Sequence, residues 1–404
     1  MLSKLQSLLS KLSVPQMPTD SSPGHMYSLA RHQALSYDKE IIAALAPFPE
    51  SSSDAPAWGV VMDIAYPGFS GTLAAFSNGH TNLYYSDYPG IPNDENSEQI
   101  RQATAKLIEA ANEVIPYLKP SESFDLPAPW QAVFRVRTDS GNLIADATGE
   151  DFRNEEHPLF PLFAAGNSLL TEFKRLETTR HEDYVRNRLD GQSKQIAQHP
   201  TEAERYAYRA EDYLELGEVE NARADFEKLL SLMPVADAFL GRGCFYMRTG
   251  DLTSALDDFN HAVEMEPTNA MAYSNRGSAY SKLQDMEKAL ANYDLAIQNN
   301  PNYATAYINR AFAYYKVGRY KDGVADCDRA LALKPDHASA HSNRGLCRAA
   351  LGDKEGARAD FQRALRIDPK APANVIEEAL TGLHALDHPG EPLPIWTSIL
   401  VERI

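Results

Sequence analysis

Apolar side chains in residues 203–371 recur three, four and seven positions apart, the spacing of one face of an α-helix. The whole arrangement then returns every 33 or 34 residues, and Pro234, Pro267, Pro301, Pro335 and Pro369 mark its period. Setting each proline at position 32 aligns five copies. Position 4 reads Tyr206, Phe239, Tyr273, Tyr307 and His341, and position 11 reads Tyr213, Tyr246, Tyr280, Tyr314 and Arg348. Position 24 reads Phe226, Phe259, Tyr293, Cys327 and Phe361. Small residues recur as regularly: Ala210, Gly243, Gly277, Ala311 and Gly345 at position 8, and Ala222, Ala255, Ala289, Gly323 and Ala357 at position 20. They let two helices approach closely. Position 15 is Gly217, Gly250, Gly318 or Gly352 in four copies, a helix-ending residue, with Gln284 in the third. Each copy is predicted to be helix, tight turn, helix, and a proline that stops the second helix.

The pattern resembles the tetratricopeptide repeat family across residues 203–371. That resemblance implies a right-handed superhelix of antiparallel helix pairs, with the first helix of each pair lining a concave groove. A polar regularity accompanies it. Position 7 is arginine in every copy, followed sixteen residues later by a polar partner: Arg209 with Asp225, Arg242 with Asp258, Arg276 with Asn292, Arg310 with Asp326 and Arg344 with Asp360. Constant spacing points to an ion pair or charge-assisted hydrogen bond between the two helices. The alternative reading is a ladder of arginines for an anion.

The resemblance places positions 2, 5, 6, 9, 12 and 13 of the first helices in the groove. Position 6 is Asn275, Asn309 and Asn343 in successive copies, and a primary amide offers a peptide backbone both a donor and an acceptor. The alternative is a repeat consensus with no ligand. Ile308, Phe312 and Tyr315 form an apolar stretch, with Leu240, Cys244 and Met247 nearer the start. Arg248, Lys282 and Lys316 line one side at position 13, either facing a partner or complementing the helix dipole. Glu204, Glu211 and Glu215 make the first copy acidic. A partner segment with aliphatic anchors and some acids suits such a groove. No copy carries the paired Lys and Asn or Lys and Arg that the family uses to clamp chaperone tails, which argues against that subfamily.

The first half lacks the period. Helices are predicted over 26–46, 97–117 and 159–178, and strands over 57–65, 70–76, 82–86, 131–138 and 142–147. The order βββ-α-ββ-α indicates an α+β domain with helices against one sheet face. The mixed chain therefore divides into an amphipathic helix and linker (1–24), an α+β domain (25–180), a connecting or capping helix (181–202), five repeats (203–371), and a C-terminal cap helix with an apolar tail (372–404). His80, Asp63, Asp87 and His157 have no diagnostic spacing and are expected to be solvated loop residues. No nucleotide-binding, metalloprotease or EF-hand motif occurs, so no catalytic residue, cofactor or metal is expected.

Formal charge is −17, with acids in excess in both halves, which argues against a nucleic-acid partner. Cys244, Cys327 and Cys347 lie in repeat helices without a CxxC pair, as in a reducing cytoplasmic compartment. The opening MLSKLQSLLSKL is interrupted by Lys4 and Lys11, and neither a signal peptide nor stable membrane insertion is expected. These features suit a non-enzymatic, acidic protein whose repeat groove binds a protein partner: an adaptor, an effector chaperone or a toxin-neutralising immunity protein. The competing reading makes the α+β domain an enzyme or small-molecule sensor, with the array recruiting its targets. A third reading is self-assembly through the tail.

Overall fold

A computed structural model describes residues 57–148 apart from short connections, 156–367 and 373–389. The helices predicted over 1–12 and 26–46, His80, Asp87 and the tail beyond 389 lie outside the described residues. Two compact units emerge, one formed by described residues up to Arg175 with those after Asp368, the other by Leu176–Ile367.

The first unit holds a seven-stranded antiparallel sheet: β1 (Ala57–Tyr66), β2 (Phe69–Phe76), β3 (Thr81–Tyr85), β4 (Tyr88–Ile91), β5 (Lys119–Pro120), β6 (Gln131–Thr138) and β7 (Gly141–Thr148), in the order β4-β3-β2-β1-β6-β7-β5. Two strands exceed the prediction. β4 contains Pro89 and β5 ends at Pro120, and the two form opposite edges of the sheet. Proline cannot donate to a ladder, so it is confined to edges, which is also why these segments read as loops in the sequence. Helix α1 (Glu98–Val114) packs on β1 and β2. Ser97 caps its start by accepting from the Ile100 amide.

β1 is central and buried on both sides. Met62 pairs with Leu73 and Phe134, and Gly166 closes on its sulfur at 3.0 Å from an ideal Cβ. The opposite side carries Asp63, which is fully buried and corrects its expected place in a solvated loop. Thr72 donates to one Asp63 oxygen and Arg135 to the other, and Arg135 also donates to the Asp125 carbonyl. A buried carboxylate persists only when paired in this way. His157 is half-buried and its Nδ1 accepts from the Leu159 amide at the start of the next helix.

That helix, α2 (Phe160–Gln198), runs unbroken for 39 residues where two helices were predicted. No glycine or proline lies between Gly166 and Gly191 to interrupt it. Ten helices follow in five pairs: α3 (Ala203–Glu215) and α4 (Val219–Leu232), α5 (Ala236–Thr249) and α6 (Leu252–Met265), α7 (Ala270–Lys282) and α8 (Met286–Asn299), α9 (Ala304–Lys316) and α10 (Tyr320–Leu333), and α11 (Ala338–Ala350) and α12 (Lys354–Ile367). Each second helix packs on the next first helix. From the second copy onward, neighbouring first helices also touch, whereas second helices stay farther apart, which curves the array with first helices inside. A last helix, α13 (Ala373–Asp387), is grouped with the sheet unit and buries Val375, Ile376, Ala379, Leu380 and Leu383.

The small residues act as the sequence suggests. A Cβ on Gly243 would lie 2.5 Å from Phe259, one on Gly277 2.7 Å from Tyr293, and one on Gly345 2.7 Å from Phe361. The fourth copy has Cys327 in place of the aromatic ring and tolerates Ala311. The first copy keeps Ala210 with Phe226, whose ring lies against Gly241 and Phe245 of the next repeat.

Four of the five position-7 arginines join three helices, while Arg242 bonds only Asp258 on its own second helix. Arg310 bonds both oxygens of Asp326 on its own second helix, at 2.7 Å each, and Asp294 on the preceding second helix at 2.6 Å. Arg344 does the same with Asp360 and Asp328, and Arg209 with Asp225 and Ser193. Ser193 belongs to α2, so the end of that helix takes the place of a second helix ahead of the first full repeat. The Tyr206 hydroxyl donates to the Pro200 carbonyl, just as Tyr307 donates to that of Pro301. Burial, with Asp294 and Asp322 nearby, pushes the Asp326 carboxyl up despite Arg310. Burial acts on Asp360 too, yet donors on His341 and Arg344 outweigh it and hold that carboxyl below its usual range.

Turn glycines Gly217, Gly250, Gly318 and Gly352 adopt φ between 73° and 87°, and Gln284 adopts 62°. A side chain with a Cβ is strained there by about 1 kcal/mol. Gln284→Gly is therefore expected to raise stability by about 0.5–1 kcal/mol in urea unfolding, and Gly318→Gln to lower it by a similar amount.

Candidate partner-binding groove

The first helices α3, α5, α7, α9 and α11 form the inner face of the array. Along it, position 9 presents Glu211, Cys244, Ser278, Phe312 and Leu346, and position 12 presents Leu214, Met247, Ser281, Tyr315 and Ala349. Glu211 is exposed and the others are half-buried. Position 5 was expected to face the groove but is buried in four copies: Leu240, Ser274, Ile308 and Ser342. Ile308 packs with Tyr307, Leu331 and Ala340, so it belongs to the inter-repeat core. Close contact between adjacent first helices leaves that position no opening.

The three asparagines come into one row, and each reaches back to the preceding first helix. Asn343 is 7% exposed and donates to the Ile308 carbonyl at 3.2 Å. Asn309 donates to the Ser274 and Ser278 hydroxyls, both at 3.3 Å. Asn275 reaches only the Cys244 sulfur, at 3.4 Å. Their amide N–H groups therefore tie repeats together. Only Asn275 and Asn309, both half-buried, keep access to a partner.

The apolar and cationic residues converge more fully. Phe312 and Tyr315 have ring centroids 6.5 Å apart, and Tyr320, unassigned from sequence, extends the cluster with its ring 5.8 Å from Tyr315. The Lys316 ammonium lies 5.0 Å from the Phe312 centroid, within cation–π range. Exposed Lys282 donates to the Met247 carbonyl at 3.4 Å. Arg248 crosses from the second repeat to Glu211 at 2.6 Å, both about half exposed. Such a pair is worth little in water and is easily exchanged. Burial, together with the Glu211 carboxylate, pushes the Cys244 thiol up and keeps it protonated. Two further groove residues are exposed: Met271 at position 2 and Tyr208 at position 6, at 51% and 63%. Their place in the helical period, once the array is aligned, is the signal that finds them. Among the described residues, no three His, Cys, Asp or Glu side chains converge as a metal site.

Tetratricopeptide repeat family models match residues 209–270 and 308–372, and another matches 270–303. Residues 209–372 are tetratricopeptide repeats. The match leaves the sheet unit unassigned. No curated protein matches the chain. Among solved structures, a thermophilic TPR protein in Thermus thermophilus is 22% identical over 45% of this chain and 98% of its own, with a TM-score of 0.41. YrrB, described as a TPR protein with an unusual peptide-binding site, is 24% identical over 47% of this chain and 96% of its own, with a TM-score of 0.34. The first TPR of Spaghetti, bound to an HSP90 peptide, is 26% identical over 29% of this chain and 93% of its own, with a TM-score of 0.28.

The asparagine geometry ranks three substitutions. Asn343→Ala is expected to cost about 1–2 kcal/mol in urea unfolding, because it removes a buried hydrogen bond between repeats and leaves a void behind it. Asn309→Ala should cost about 1 kcal/mol and Asn275→Ala under about 0.5 kcal/mol.

Proposed function

We propose that this protein is a non-enzymatic adaptor whose repeat groove holds an extended segment of a protein partner. Tetratricopeptide repeats support a protein-interaction role, and the groove supports one kind of segment. The observation that carries this reading is the half-buried aromatic cluster of Phe312, Tyr315 and Tyr320, rimmed by the exposed ammonium of Lys316. An aliphatic side chain of the partner packs on the rings, and an acidic residue beside it meets Lys316 and Lys282. The hydroxyl of Ser281, half-buried on the neighbouring first helix, suits the partner's backbone. Met247, Asn275 and Asn309 border the same surface. The exposed acids of the first copy place any basic residue of the segment at the other end. Ile308 and Asn343 act from behind, by fixing the fourth and fifth repeats.

No helix among the described residues is long and apolar enough to cross a membrane, and we place the protein in the cytoplasm. An effector chaperone or an immunity protein would use the same groove, and the identity of the captured partner distinguishes these roles.

The test combines Phe312→Ala with Tyr315→Ala in the full chain. Both side chains are half-buried, so the helical circular dichroism should be kept. Affinity for the partner that co-purifies stoichiometrically from native cells should fall at least about tenfold by calorimetry, the loss of two aromatic contacts. Unchanged affinity with intact folding would exclude the groove as the contact surface.

A further inference from the structure

The five arginine junctions are not equivalent, and the third one is incomplete. In the other four copies, Nη2 of the arginine meets the second oxygen of an aspartate: Asp225 at 2.6 Å, Asp258 at 2.8 Å, Asp326 at 2.7 Å and Asp360 at 2.6 Å. In the third copy, Asn292 stands in that place. Its oxygen accepts from Arg276 Nε at 2.8 Å, but its nitrogen is a donor and turns to the Lys288 carbonyl at 2.8 Å. Nη2 of Arg276 thus loses the acceptor that its four counterparts have. The second partner is neutral as well: Nη1 donates to Asn260 at 3.0 Å, where the next two junctions use Asp294 and Asp328.

Arg276 therefore carries a full positive charge with no carboxylate bonded to it, beside two amides. The residue is half-buried, so part of its surface meets solvent. The nearest equivalents cannot supply the missing charge, since Asp258 is held by Arg242 and Asp294 by Arg310. On α7, position 7 lies about 200° from the groove-lining position 9, so this guanidinium faces the second helices α6 and α8, away from the groove.

We infer that Arg276 is a second docking point, at the junction of α6, α7 and α8 between repeats two and three, for an aspartate or glutamate carboxylate of a protein partner. In the four aspartate junctions Nη2 and Nε share one carboxylate; at Arg276 Asn292 holds Nε, so an incoming carboxylate meets Nη2 and the remaining N–H of Nη1. The Tyr273 ring, 5.3 Å from the guanidinium carbon, holds the fork in place as its counterparts do elsewhere. A guanidinium fork favours a carboxylate that can take two parallel bonds. The site does not depend on what the groove holds.

The test observes the arginine Nε–Hε resonances of the full chain at low ionic strength. The probes are aspartate capped as its N-acetyl methylamide, the identically capped asparagine, and inorganic phosphate. The capped aspartate should move the Arg276 resonance saturably, at least about threefold more than the capped asparagine does, and leave Arg242 and Arg310 in place. Asn292→Asp, which restores the common junction, should abolish the response and raise the melting temperature, showing that the variant folds. No movement of Arg276, equal movement of every arginine, or a response that survives Asn292→Asp would overturn the assignment. A stronger response to phosphate than to aspartate would overturn its carboxylate specificity.

Discussion

The array depends on one interaction, a guanidinium that binds two second helices at once from the first helix between them. In four of the five copies position 7 bonds both its own second helix and the helix before it. The bonds that hold a helix pair and those that stack the pairs thus meet at one group. Its acids are nearly buried: Asp225, Asp258 and Asp360 are exposed by 4%, 2% and 2%. Desolvating a carboxylate is costly, and only the two-point geometry together with the aromatic residues at positions 4 and 11 offsets it. In the last copy those aromatics become His341 and Arg348, and both turn to Asp360. The tyrosine cage gives way there to two further donors on one carboxylate.

This arrangement leaves the inner face chemically free. Small residues at positions 8 and 20 set the distance between paired helices, and buried position 5 sets the distance between neighbouring first helices. Positions 9, 12 and 13 contribute less to either task, although Cys244 and Ser278 at position 9 accept from Asn275 and Asn309. Those positions vary from copy to copy, from Glu211 and Arg248 at one end to Phe312 and Lys316 further along, without disturbing the frame. A repeat protein gains its specificity in this way, with recognition carried by residues that the stacking does not need.

The second half was legible because its constraints recur. Five copies of one pattern separate a structural arginine from an incidental one, and the arginine pairs are found where constant spacing puts them. The candidate groove was only partly legible. Helical phase places positions 5 and 6 together on the inner side, but the distance between adjacent first helices decides that Ile308 is buried and that Asn343 is spent on a backbone carbonyl. No pattern within one helix reports that distance. The first half lacked repetition, and its errors were of another kind. Pro89 and Pro120 disguised two edge strands as loops. Asp63 read as a loop residue because the arginine that neutralises it lies on β6, far along the chain.

The central claim is that the inner face of the first helices holds a protein partner. Hydrogen–deuterium exchange on the complex purified from native cells tests it most directly, compared with the free chain. Protection concentrated in α7 and α9, around Met271, Phe312 and Tyr315, is the predicted result. Protection confined to residues 57–148, with the repeat helices exchanging as in the free protein, would contradict it.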